Sequence, residues 1–156
     1  MRALRPGIYD QSGFDVRFEW GLRGLEAAGP GADVIVIVDV LSFSSAVEVC
    51  VAREAIVYPF AWKDERAVAF AEEVDALLAV TRKDVSARRP YSLSPASLMS
   101  IPRGARVVLP SPNGATISVA AAGLGATVIS GCLRNAGAVA RAAEARGSTI
   151  LVIAAG

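Results

Sequence analysis

Asp33-Val34-Ile35-Val36-Ile37-Val38-Asp39 is the stretch that decides the fold. Val34 to Val38 is an unbroken β-branched run, the pattern of a strand whose two faces are both covered by helices in a parallel sheet. Beyond it the chain alternates helix with strand. Ser42 and Ser44 are caps for a helix through Ala46, Val47, Cys50 and Val51, and Ala55 to Phe60 reads as a short strand. Asp64 caps a helix with an apolar stripe at Val68, Ala71, Val74, Leu77 and Leu78. After a looser stretch from Thr81 to Tyr91, Ser94-Pro95 opens a short helix to about Ser100. Arg106 to Leu109 is then a strand, Ala115 to Ala122 a helix, Thr127 to Ser130 a strand, Ala136 to Arg146 a helix and Ile150 to Ile153 a last strand. On the other side of the deciding stretch, Phe14, Val16, Phe18 and Trp20 alternate with Asp15, Arg17 and Glu19. That is the period-2 signature of an edge or antiparallel strand with one buried and one solvated face. The order predicts an α/β fold, a doubly wound, mostly parallel sheet with helices on both faces and an amphipathic N-terminal edge strand.

A chain of 156 residues, 53% hydrophobic and 20% charged, is long enough for one buried core and too apolar to stay disordered, so residues 1–156 are expected to form a single domain. Sixteen Lys and Arg against 15 Asp and Glu leave a net charge of +1. That balance gives no footprint for nucleic acid or for a membrane surface. No apolar run approaches the roughly 18 residues of a membrane span, and two cysteines, Cys50 and Cys132, with no signal-like amino terminus fit a cytoplasmic protein. The composition leaves a homo-oligomer open. There is no histidine, which removes Ser-His-Asp and Cys-His catalysis, phosphohistidine and histidine-ligated zinc together. Carboxylates, Lys, Arg, Tyr, hydroxyls and backbone dipoles remain for chemistry.

In open α/β sheets ligands gather at the carboxyl ends of strands, where helix amino termini also point. Three such junctions are polar here. At Asp39-Val40-Leu41-Ser42-Phe43-Ser44-Ser45 a carboxylate able to hold a hard cation or act in acid-base chemistry precedes hydroxyls at a helix start. The plain alternative makes Asp39 a loop residue and the serines ordinary caps. At Ser111-Pro112-Asn113-Gly114-Ala115-Thr116 an Asn-Gly turn and the Thr116 hydroxyl can form a small anion cradle, or an ordinary turn. At Gly131-Cys132-Leu133-Arg134-Asn135, Arg134 can clamp an oxyanion or lie exposed beside a helix cap. Arg82, Lys83, Arg88 and Arg89 either collect an anionic substrate or form a solvated loop. No P-loop, no Gly-x-Gly-x-x-Gly turn and no cysteine-phosphatase loop occurs.

At these residues the sequence resembles the 2-phosphosulfolactate phosphatase family, magnesium-dependent enzymes of coenzyme M biosynthesis. The family's buried strand ending in Asp-Val-Leu matches Val34 to Ser45, its Asn-Gly-Thr-like loop matches Ser111 to Thr116, and its Gly-Ser/Cys-x-x-Asn turn matches Gly131 to Asn135. Ser94-Pro95 and the strand end Ala154 to Gly156 match two further elements. The resemblance implies Mg²⁺-dependent hydrolysis of a small anionic phosphate-ester substrate, a monoester on a sulfonated or carboxylated acid. Asp39 is then the catalytic and metal residue, and Ser42, Ser44, Ser45, Asn113, Gly114, Thr116, Arg134 and Asn135 bind phosphate. Ser42 stands where typical members have Arg, and members continue well beyond Ala-Ala-Gly. The chain is therefore expected to be the N-terminal portion of a longer phosphatase. The competing expectation is a non-catalytic anion-binding or assembly domain that has lost phosphatase activity.

Overall fold

A computed structural model describes residues 11–155. The strands are β1 (Val16–Trp20), β2 (Val34–Val38), β3 (Ile56–Phe60), β4 (Leu77–Leu78), β5 (Arg106–Pro110), β6 (Thr127–Gly131) and β7 (Ile150–Ala154). The helices are α1 (Gly21–Ala28), α2 (Phe43–Ala52), α3 (Glu65–Glu73), α4 (Pro95–Leu98), α5 (Gly114–Ala122) and α6 (Ala136–Glu144). Every strand pairing is parallel. Hydrogen bonding divides the strands into two sheets, β1-β7-β2-β6 and β3-β5-β4. The β-branched run lies at the centre of the larger one, with Val34, Ile35 and Ile37 fully buried. Its two faces separate by parity. Ile35, Ile37, Leu151 and Ile153 pack with Leu25 and Ala28 of α1 and Ile117 and Ala121 of α5. Val34, Val36 and Ile150 pack on the other face with Ala143 of α6. Each of these Val, Leu and Ile side chains contributes about 1.5–3 kcal/mol on leaving water. The smaller sheet has its own core, in which Val107 and Leu109 meet Phe43, Val49 and Cys50 of α2 and Leu98 of α4. Burial there pushes the Cys50 thiol up to about 11.

Most of the alternation is as expected, and three elements depart from it. Leu77 and Leu78 do not extend the stripe of α3; that helix ends at Glu73, and the two leucines form β4 against Val107 and Val108. Asp75, with a φ of 48°, sits between the two elements. Helix α1, absent from the sequence reading, follows β1 directly through Gly21, whose φ of +64° reverses the chain where a β-carbon would be strained. The third departure concerns β1, an edge strand that pairs in parallel with β7. Its aromatic side faces solvent: Phe14 is 69%, Val16 63%, Phe18 53% and Trp20 62% exposed, whereas Arg17 is 5% exposed. Register explains the inversion. Val16, Phe18 and Trp20 align with Ile150, Val152 and Ala154, on the face that α6 covers over β2 and β6. Arg17 and Glu19 lie on the α1 face, where a β-carbon on Gly24 would come within 2.7 Å of Glu19 Cβ.

Asp33 ties the strand starts together. Its Oδ2 accepts from the Ser148 and Thr149 backbone N–H groups at 2.9 Å each, its N–H donates to the Thr149 carbonyl, and its carbonyl accepts from Thr127. These backbone N–H groups hold the Asp33 carboxyl below its ordinary value. A group with a lowered folded pKa contributes stability above the unfolded value of 3.8 and loses it as pH falls through the folded one. Asp33→Asn should therefore melt below the wild type at neutral pH, with the gap fading as pH is lowered from 3.8. Thermal melts across an acid pH series check this, and a gap independent of pH contradicts it.

Candidate active site

Asp39 leaves the carboxyl end of β2 and is 5% exposed. Burying a carboxylate is costly unless it is hydrogen-bonded, and the local sequence supplies the bonds. Asp39 Oδ2 accepts from the Gly114 N–H at 3.0 Å, so the carboxylate caps the first turn of α5, where the helix dipole favours negative charge. The backbone of Asp39 is held from the other side. Its N–H donates to Ser44 Oγ at 2.9 Å, its carbonyl accepts from the Ser44 N–H at 2.8 Å, and the Ser44 hydroxyl donates to the Ile37 carbonyl at 3.1 Å. Asp39 Oδ1 makes no hydrogen bond to the described residues. One oxygen is anchored and the other has no partner among the described residues.

The remaining sequence candidates surround this turn with different duties. Ser45 donates to the Val40 carbonyl at 2.9 Å, which tightens the same turn. The Thr116 hydroxyl shares its proton between the Ala61 and Ser111 carbonyls, and the Thr116 N–H also donates to Ser111. Asn135 Oδ1 accepts from the Cys132 N–H and its amide donates to the Ser130 carbonyl, closing the turn beyond β6, whose Gly131 pairs with Val38. Arg134, 68% exposed, pairs with Glu48 of α2 at 2.7 Å. Ser42 and Asn113 are the candidates whose side chains make no hydrogen bond among the described residues. Gly156 lies outside those residues.

A cavity of about 490 Å³ opens beside the turn and reaches Ser42 and Pro110, the last residue of β5. Lys63, Arg82 and Arg89 line it. The sequence placed Arg82 and Arg89 in a loop that could be merely solvated, and Lys63 was not singled out. The usable signal was position: the loop follows β4 at the carboxyl end of the sheet, the side where ligands gather. Among the described residues no three or more acidic or cysteine side chains cluster as a metal cage. Asp39 Oδ1 alone still suits Mg²⁺, which is commonly held by one or two carboxylates, with water and substrate phosphate completing the shell. No described helix is long and apolar enough to cross a membrane.

A family model described as 2-phosphosulpholactate phosphatase matches residues 25–156, which takes in Asp39, the Asn113-Gly114 turn, the cavity and the Cys132–Asn135 turn. No curated protein matches the chain.

Gly114 is required by close approach. A β-carbon there would stand 2.4 Å from the Phe43 ring and 2.6 Å from Asp39 Oδ2. Gly114→Ala should therefore push the ring and the carboxylate away from α5 and lose about 1–3 kcal/mol, the usual range for overpacking. Denaturant unfolding measures the loss; an unchanged midpoint would show that this contact carries no strain.

Proposed function

Because the chain belongs to the 2-phosphosulfolactate phosphatase family, we propose that the Asp39 turn hydrolyses a phosphate monoester of a small sulfonated or carboxylated acid, with Mg²⁺ as cofactor and a place in coenzyme M biosynthesis. The observation that carries this reading is a buried carboxylate with one oxygen bonded to Gly114 N–H and the other available, at the carboxyl end of the central strand. Water attacks phosphorus, the ester P–O bond breaks, and the alcohol of the acid leaves with a proton as phosphate is released. Bound Mg²⁺ would neutralise charge on the phosphoryl oxygens. Asp39 Oδ1 would hold the cation, and the Gly114 N–H keeps that carboxylate oriented. Ser42 Oγ and the Asn113 amide, unused by the fold, reach phosphoryl oxygens as neutral donors. Ser44, Ser45, Thr116 and Asn135 keep the turns in shape around them, and Arg134 is engaged at the rim by its ion pair with Glu48.

A second reading, an anion-binding or assembly domain without turnover, draws support from the cations Lys63, Arg82 and Arg89 that line the neighbouring cavity, while the Gly114 and Thr116 N–H groups are committed to Asp39 and Ser111 and form no cradle.

Asp39→Asn separates the two. Asparagine keeps an oxygen for Gly114 N–H and loses the charge. Under the phosphatase reading, Mg²⁺-dependent phosphate release should fall by about 100-fold or more and Mg²⁺ affinity should drop with it, while the melting temperature changes little. Equal release rates for the two proteins would end the role of Asp39. Phosphate binding by calorimetry, without release from any ester by the wild type, would favour the anion-binding domain.

A further inference from the structure

The four-stranded sheet is covered unequally. On one face α1 packs on β1 and β7 and α5 packs on β2 and β6, two helices for four strands. On the other face α6 packs on β6 and β2. Two strands are about 10 Å across, the width of one helix. Among the described residues no helix takes the equivalent place over β7 and β1 on that face. Val152 and Ala154 of β7, partly buried, floor the groove that results. Its wall on the α6 side is low, because the exposed residues in the first turns of that helix, Ala136, Gly137, Ala138 and Ala140, carry nothing larger than a methyl group.

The opposite wall is an apolar ridge. Phe14 and the β1 residues Val16, Phe18 and Trp20 stand in alternation, each more than half exposed. Single exposed apolar side chains need no explanation, but four on one strand face make a contiguous patch. The ridge is ordered without a partner. Strand β1 is fixed in register to β7, and the Phe18 and Trp20 rings meet edge to face with centroids 6.2 Å apart. Side chains already held in place lose little freedom on binding.

We propose that this face joins two copies of the chain about a two-fold axis, with the aromatic ridge of each copy seated in the groove of the other. A two-fold interface needs one surface complementary to itself, and here a ridge and a groove lie side by side on the same face. The area is sufficient. The exposed parts of three aromatic rings and a valine come to roughly 450 Å² per chain, so the two ridges with the groove surface they cover exceed about 1,000 Å², the size a specific interface needs. Aromatic side chains are also the commonest anchors of such interfaces. A net charge of +1 sets little repulsion between copies. The area lies at the lower end of stable interfaces, which gives a dissociation constant in the micromolar range. The dimer does not depend on what the Asp39 turn does.

Sedimentation velocity from about 1 to 500 μM should show a single monomer–dimer equilibrium for the wild type. Phe18→Ser/Trp20→Ser should weaken it by about 100-fold or more, the loss of two aromatic anchors. Leu133→Ser/Met99→Ser, which removes exposed apolar side chains from other surfaces, should leave it unchanged. A monomer at every concentration overturns the proposal and leaves the ridge to a different protein. A dimer that persists in Phe18→Ser/Trp20→Ser, one lost equally in both variants, or an open series of ever larger species overturns it too. Fluorescence adds a readout that leaves the face intact. Trp20 and Trp62 are the two tryptophans, so emission from Trp62→Phe reports Trp20 alone. It should shift to the blue over the concentration range in which the dimer forms. Emission that stays at its solvent-exposed wavelength through dimerisation puts the interface elsewhere and refutes the proposal. A blue shift that requires phosphatidylcholine vesicles and does not follow chain concentration assigns the ridge to a lipid surface instead.

Discussion

One hydrogen bond, from the Gly114 N–H to Asp39 Oδ2 at 3.0 Å, joins residues 75 apart in sequence at the point where the two sheets meet. The four-stranded and three-stranded sheets share no ladder, so their relation is carried by α2 and α5, which pack against strands of both, and by the contacts where β2 and β5 end. Asp39 belongs to the first sheet and Gly114 starts the helix that leaves the second. Phe43, buried in the core of the second sheet, presses on Gly114 from the side. In a buried setting a charge-assisted bond of this kind is among the stronger single contacts available, and it leaves no room for a side chain at position 114. The same bond sets where the other carboxylate oxygen points. Architecture and chemistry are joined at one atom pair.

Much of the fold was legible because its strongest signals are local. The β-branched run from Val34 to Val38, the Ser94-Pro95 start and the Asp64 cap each depend on residues within a turn of one another, and each element forms where its pattern lies. The failures have a common cause: they are decided by partners far away in the chain. Alternation in β1 says that two faces differ, but which face is covered is settled by pairing with β7 and by the reach of α6. Leu77 and Leu78 fit a helical stripe by spacing, yet Val107 and Val108 recruit them into a sheet. Helix α1 is short, and its Leu25 and Ala28 are too few to stand out before α5 is known to pack against them.

The site divides in the same way. Asp39 could be singled out from its place after the central strand. That Ser44 braces its backbone, that Thr116 is turned toward Ser111, and that Arg134 is drawn to Glu48 are consequences of packing that residue type does not encode. The basic residues of the loop after β4 illustrate the converse. Their composition suits a solvated segment, and only the closure of that loop against Tyr91, with Lys63 contributed by the turn before α3, gives Arg82 and Arg89 a shared concave surface.

The outer edge of β1 carries a different kind of information. Gln11 presents its side-chain amide to Phe18, donating to the carbonyl at 2.7 Å and accepting from the N–H at 3.1 Å. In hydrogen-bonding terms this amide is a dummy strand one residue long. It satisfies the two groups that a neighbouring strand would use and offers no continuation of the ladder. An incoming chain must first evict it. The exposed aromatics of β1 therefore lie on a strand whose growing edge is stoppered, so stickiness of the face is uncoupled from edge-to-edge polymerisation, the route by which bare strands propagate. A glutamine that looks incidental in the sequence acts as a chain terminator for the sheet.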